Sequence, residues 1–146
     1  MEEMENGEMK AMLNTIFAAV CSAFTYFFGG WDVALAVLIT FMVFDYLTGV
    51  IIAIINKKLS SAIGFKGLAK KLFIIVILVV GVLLDRLINS GEWIFRTLVA
   101  YFYIANEGIS IVENIAVLGV PVPEKIIDIL EQIKEKHQDD ETDENE

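Results

Sequence analysis

Between Tyr101 and Pro123 the sequence reads YFYIANEGISIVENIAVLGVPVP. The run is apolar enough for a bilayer, yet it carries Asn106, Glu107, Ser110, Glu113 and Asn114. A helix turns about 100° per residue, so Asn106, Ser110 and Glu113 fall on one line. Glu107 and Asn114 form a second line beside it. Together they make one broad polar stripe. Ile104, Ile111, Val112 and Ile115 lie on the other side and suit lipid or neighbouring helices. A carboxylate in hydrocarbon costs on the order of 3 kcal/mol, so the stripe must meet water, a cation or another polar surface. Three roles fit it. It can line an aqueous pore. It can form a hydrogen-bonded seam between helices or subunits. Or Glu113 and Asn114 can sit at the cytoplasmic interface, a reading that suits Glu107 less well because it lies about two turns deeper.

A second acid, Asp45, sits inside FMVFDYLTGVIIA. Asp45, Gly49 and Ala53 share a face at helical spacing, and Thr48 is adjacent. Small residues on one face let helix backbones approach closely. Two readings stay open for Asp45: a packing seam with a hydrogen-bonded or protonated acid, and an acid that couples subunit contacts to opening. Near the outer ends of their segments, Asp85, Arg86 and Arg96 are expected to form interfacial ion pairs of small value.

Other chemistry finds little support. There is no Gly-rich phosphate loop, no metal-ligand spacing and no His/Ser or His/Cys pair for nucleophilic catalysis, so no catalytic residue, metal or cofactor is expected. The single cysteine, Cys21, lies in an apolar run and is expected to act as a small buried hydrophobe. The net charge of -9 belongs to the ends. Residues 1–9 hold four acids and no base, and residues 137–146 hold six acids and no base, whereas the remainder is near neutral. Both ends are expected to be acidic solvated tails. Nothing in the pattern suggests nucleic-acid binding.

The elements that must position these groups are apolar blocks. Hydrophobic residues make up 56% of only 146, too much for a soluble core of this size. The mean hydropathy of +0.63 agrees. Four blocks stand out: Met12 to Phe28, Val33 to Ile55, about Ala69 to Ile88, and Trp93 to about Leu118. The first is marginal as a span because it contains Asn14, Thr15, Ser22 and Thr25. The expected fold is an all-α integral membrane protein with about four transmembrane helices at residues 10–118, assembled as an oligomer.

The turns GGWD and NSGEW each place a tryptophan at a membrane edge. Between the second and third blocks lies a stretch with Lys57, Lys58, Lys66, Lys70 and Lys71 and no acid, read as a cytoplasmic basic loop. That orientation puts the tryptophan turns outside and the C-terminus in the cytoplasm. The N-terminus is cytoplasmic too if the first block spans. After Pro121-Val122-Pro123, the sequence EKIIDILEQIKEK predicts an amphipathic cytoplasmic helix within 119–136. Ile126, Ile129, Leu130 and Ile133 form its apolar stripe. That stripe needs the membrane surface, its own bundle or another copy as partner.

The segments GGWD, FDYLTG, KLSSAIGFKGLAKK and YFYIANEGISIVENIAVLGVPVP, in this order and spacing, resemble the toxin-secretion/phage-lysis holin family. The resemblance runs from about Phe27 to Lys134. Its most specific part is ANE-x-x-S-x-x-EN followed by G-x-P-x-P. It implies a small protein that accumulates in the bacterial cytoplasmic membrane and then assembles into lesions. Through these a cytoplasmic endolysin reaches the cell wall and the host lyses, or in toxin loci a large toxin leaves the cell. The implied partners are copies of the same chain, the lipid bilayer, and the endolysin or toxin as functional partner. Composition and spacing alone leave two other readings open: a regulated small-ion channel, and an antiholin-like regulatory membrane protein.

Overall fold

The computed structural model describes residues 2–89 and 91–139. These form five helices: α1 (Glu2–Phe28), α2 (Val33–Ile55), α3 (Ser61–Ile88), α4 (Ile94–Val117) and α5 (Glu124–Asp139). No strand occurs among the described residues. The chain divides into two units, Met1–Trp31 and Asp32–Glu146.

The first unit is a single helix. Its apolar segment, Gly7–Phe28, is long and apolar enough to cross a membrane. Thr15 donates its hydroxyl to the Ala11 carbonyl at 2.9 Å, which satisfies a polar group without help from water. Phe24 stacks on Phe28 at 4.6 Å between centroids and meets Trp31 at 5.9 Å. Cys21 is exposed along this helix, not buried as expected. The residues expected as an acidic N-terminal tail are helical from Glu2 onward, in one helix that continues through Gly7 into the apolar segment. Helix α1 ends where Gly29 and Gly30 take φ of 74° and 108°, a conformation that costs glycine little.

The second unit is a bundle organised around α4. Helix α4 packs against α2, α3 and α5, while α2 and α3 meet only sparsely. The core comes from one stripe on each helix: Leu35, Leu38 and Met42 of α2; Ile74, Leu78 and Val82 of α3; Ala100, Ile104 and Ala105 of α4; and Leu130 of α5. Ile104 therefore faces helices, not lipid. The opposite faces of α2 and α3 are as apolar as the core yet exposed: Phe44, Leu47, Ile51 and Ile54 on one, Leu72, Phe73, Val76 and Leu83 on the other. Exposed apolar surface on that scale fits a lipid environment. Both α2 and the Gly64–Ile88 part of α3 are long and apolar enough to cross a membrane. Helix α4 carries Arg96, Glu107 and Glu113 and is not among the segments that qualify by composition.

Three local features set the packing. Asp32, extended at φ −133° and ψ 178°, caps α2 by accepting the Leu35 amide at 2.8 Å. Gly81 of α3 lets the start of α4 come close, for a Cβ there would lie 3.1 Å from the Phe95 carbonyl group. Gly108 of α4 seats α5, for a Cβ there would meet Leu130 Cδ2 at 2.7 Å and Phe41 Cε2 at 3.1 Å. Contact between Leu130 and the middle of α4 means that α5 folds back along α4. Of the partners open to the α5 stripe, the structure supplies its own bundle. Ile126 and Ile129 stay exposed, so the stripe is only partly covered.

The basic stretch is largely not a loop. Helix α3 begins at Ser61, so Lys66, Lys70 and Lys71 are helical, and only Lys57 and Lys58 lie in the turn between α2 and α3. At the far end, residues 137–139 form the last turn of α5, and the rest of the expected acidic tail lies outside the described residues.

Candidate functional site

The three packed stripes of α2, α3 and α4 carry ionisable groups at two levels. At the first level lie the starts of α2 and α4 and the end of α3. Arg96 is only 4% exposed, and its guanidinium Nη1 donates to Asp32 Oδ2 at 2.6 Å. This guanidinium, together with the Leu35 amide, holds the Asp32 carboxyl below the ordinary range, against the opposing effect of partial burial. Asp85 is also buried. It accepts the Phe95 amide at 2.9 Å and the Arg96 amide at 2.8 Å. Trp93, at the N-cap position of α4, offers no side-chain cap, so Asp85 satisfies first-turn donors from the neighbouring helix. Beside the expected interfacial pairs the structure thus adds a buried cap, and the Arg96–Asp32 pair is buried on its Arg96 side and exposed at Asp32. Arg86 lies over the Trp93 ring at 5.4 Å from its centroid.

The second level lies about 16–21 Å further along the helices, the rise from Arg96 to Glu107 and from Asp85 to Lys71. Here Lys71 Nζ is placed between two carboxylates. It donates to Asp45 Oδ2 at 2.5 Å and to Glu107 Oε2 in a closer contact. Glu107 is 1% exposed and Lys71 is 7% exposed. Asn114 extends the network from α4. Its Nδ2 donates to Thr48 Oγ1 at 2.9 Å and to Asp45 Oδ1 at 3.2 Å. Thr48 in turn donates to the Phe44 carbonyl at 2.9 Å. Helices α2, α3 and α4 each contribute charge, so the cluster exists only when all three are in place.

The expected polar stripe of α4 is therefore divided. Glu107 and Asn114 join Asp45, Thr48 and Lys71 in one network, whereas Asn106 and Ser110 are half-buried and Glu113 is exposed. Gly49 sits beside the network, its missing Cβ 3.9 Å from Asn114 Nδ2, and Ala53 lies one turn beyond. Lys71 is the residue that sequence reasoning placed wrongly. Grouped with four other lysines, it reads as part of a cytoplasmic basic loop. Its position ahead of Ile74, Leu78 and Val82 at helical spacing is the signal that marks it as inward-facing. The net formal charge of two carboxylates and one ammonium is negative, so the network has no cation to spare. Breaking it leaves at least one buried carboxylate without a partner.

Comparison with known proteins gives the chain a family. The model of the bacteriophage holin family matches residues 22–135, a range that takes in α2, α3, α4 and nearly all of α5. An uncharacterized 14.9 kDa protein of Clostridium perfringens is 56% identical over 113 residues, covering 77% of this chain and 86% of its own length. A Clostridium acetobutylicum protein, also uncharacterized, is 46% identical over 125 residues, covering 86% of this chain and 100% of its own length. The Bacillus subtilis protein YqxH is 40% identical over 124 residues, covering 84% of this chain and 86% of its own. No solved structure matches. The match spans the whole polar network and the helices that enclose it, and the chain belongs to the bacteriophage holin family.

Proposed function

We propose that this protein is a holin: it oligomerises in the bacterial cytoplasmic membrane and forms lesions that release an endolysin, or a large toxin, and so permit lysis. The observation that carries this reading is Lys71 held between Asp45 and Glu107 inside a bundle whose outer faces are apolar. Such a chain can accumulate in lipid with Lys71 and Glu107 withdrawn from it. Repacking of α4 from its own neighbours to those of other copies turns Glu107, Asn114 and Asp45 toward a shared interior. Two packings of similar energy make that a population shift, which a modest bias moves.

In this reading α4 is a fourth span. Its charges disqualify it by composition alone, but α2 and α3 cover Glu107 and Arg96. Lys57, Lys58, Lys66 and Lys70 remain near the α2–α3 turn and favour a cytoplasmic position for it. The α4–α5 connection is then cytoplasmic, and α1 as a span puts the N-terminus there too.

The test is induced expression in a bacterial host together with a cytoplasmic endolysin that lacks a signal peptide. Membrane potential and turbidity are followed together. Abrupt depolarisation followed by lysis that requires both proteins is the expected result. Depolarisation with the endolysin retained would replace the proposal with a small-ion channel. Membrane insertion with neither effect would replace it with a regulatory, antiholin-like protein.

A further inference from the structure

A cleft of about 240 Å³ opens between α2, α3 and α4 on the side of the α2–α3 turn. Leu59 and Lys70 lie along it, and Asp45, Lys71, Ser110 and Asn114 line it with polar groups. It exists because α2 and α3 barely touch. Tyr46 reaches across the gap, and its ring and hydroxyl lie 3.5 and 3.6 Å from where Gly67 and Gly64 would carry a Cβ. Glycine at both places leaves the wall thin. Glu107 is not among the lining residues.

We infer that this cleft is a water-filled vestibule, open only at the α2–α3 turn, through which the aqueous phase reaches the Asp45–Lys71 pair but not Glu107. The inference rests on α2 and α3 spanning a membrane, not on lesion formation. Space beside a lipid-facing surface must hold either acyl chain or water. An acyl chain would lay methylene groups against an ion pair and leave its remaining hydrogen-bonding capacity unmet. Water needs two to four polar partners and about 30 Å³ per molecule. Four polar side chains and this volume accommodate about eight molecules by that figure. The vestibule gives the buried network one chemically addressable end, where protons or small hydrated ions meet Asp45 first.

Thiol labelling in membrane vesicles of known sidedness tests this, using a charged, impermeant maleimide on a Cys21→Ala background. Gly49→Cys and Ser110→Cys report the vestibule. Leu47→Cys lies two residues from Gly49 on the exposed apolar face of α2 and reports lipid. Lys58→Cys reports the turn. A maleimide needs water and a thiolate, so a thiol in hydrocarbon stays unreactive. The expected result is labelling of Gly49→Cys and Ser110→Cys from the same side as Lys58→Cys, at least tenfold faster than Leu47→Cys. Rates at Gly49→Cys and Ser110→Cys as low as at Leu47→Cys would overturn the vestibule and leave the spans intact. Labelling of Gly49→Cys from both sides, or of Lys58→Cys from neither, would overturn the span reading and the vestibule with it.

Discussion

Asp85 of α3 caps the helix that begins beside Arg96, its carboxylate accepting the amides of Phe95 and Arg96 at 2.9 and 2.8 Å. The Arg96 amide is buried against α3, so its cap comes from that neighbour. Asp85→Ala is expected to lower stability by about 1–2 kcal/mol, the upper part of the range for lost caps. Asp85→Asn keeps one acceptor and is expected to fall between. Thermal unfolding in detergent, followed by circular dichroism, checks the order.

Lys71 offers a larger effect. Lys71→Met removes the only cation between Asp45 and Glu107 among the described residues and is expected to cost about 3–5 kcal/mol. The triple change Lys71→Met, Asp45→Asn, Glu107→Gln removes the orphaned charges together and should recover a large part of that loss. The same unfolding assay decides it. A triple variant no more stable than the single one would show that the charges were not the source.

At Gly108 the prediction is steric. Gly108→Ala places a Cβ against Leu130 and is expected to lift α5 from α4 at a cost of about 1–3 kcal/mol. Adding Leu130→Ala opens space for that methyl and should restore the contact in part. Amide hydrogen exchange across α5 reads the result: faster in the single variant, slower again in the double.

The Asp32–Arg96 pair carries a pH signature. The folded carboxyl is held below its ordinary value of 3.8. Stability from the pair is therefore fully present above that value and is lost as pH falls through the lower folded value. Asp32→Asn keeps a good capping side chain and removes the titration. Its midpoint of unfolding should be flatter than wild type over that acidic range, measured as melting temperature against pH.

Much of this architecture was legible in the residues. Helix α2 runs from Val33 to Ile55 as the apolar block does, α4 starts one residue after Trp93, and α5 starts one residue after Pro123 and runs on to Asp139. The start of α3 reads as a loop because Ser60, Gly64 and Gly67 lie in a stretch with five lysines, and helix propensity gives no warning when packing overrides it. The polar groups were visible, but their pairing was not. Asp45, Lys71 and Glu107 are separated by 26 and 36 residues, and only its helical spacing to Ile74, Leu78 and Val82 distinguishes Lys71 from Lys70. The same holds for Asp85, whose partners are backbone amides and leave no trace in side-chain chemistry.

The two levels of buried charge have a geometric consequence. They act like two pins through three rods, set about 16–21 Å apart. With one pin, the helices could swing or slide. With two, the register is fixed, since a slip of one turn, about 5.4 Å, would misalign Asp32 with Arg96 and Lys71 with both its carboxylates at once. Partial slippage therefore has no favourable stopping point. Any other arrangement of α2, α3 and α4 is reached by withdrawing both pins in one concerted event, so this bundle changes abruptly or not at all.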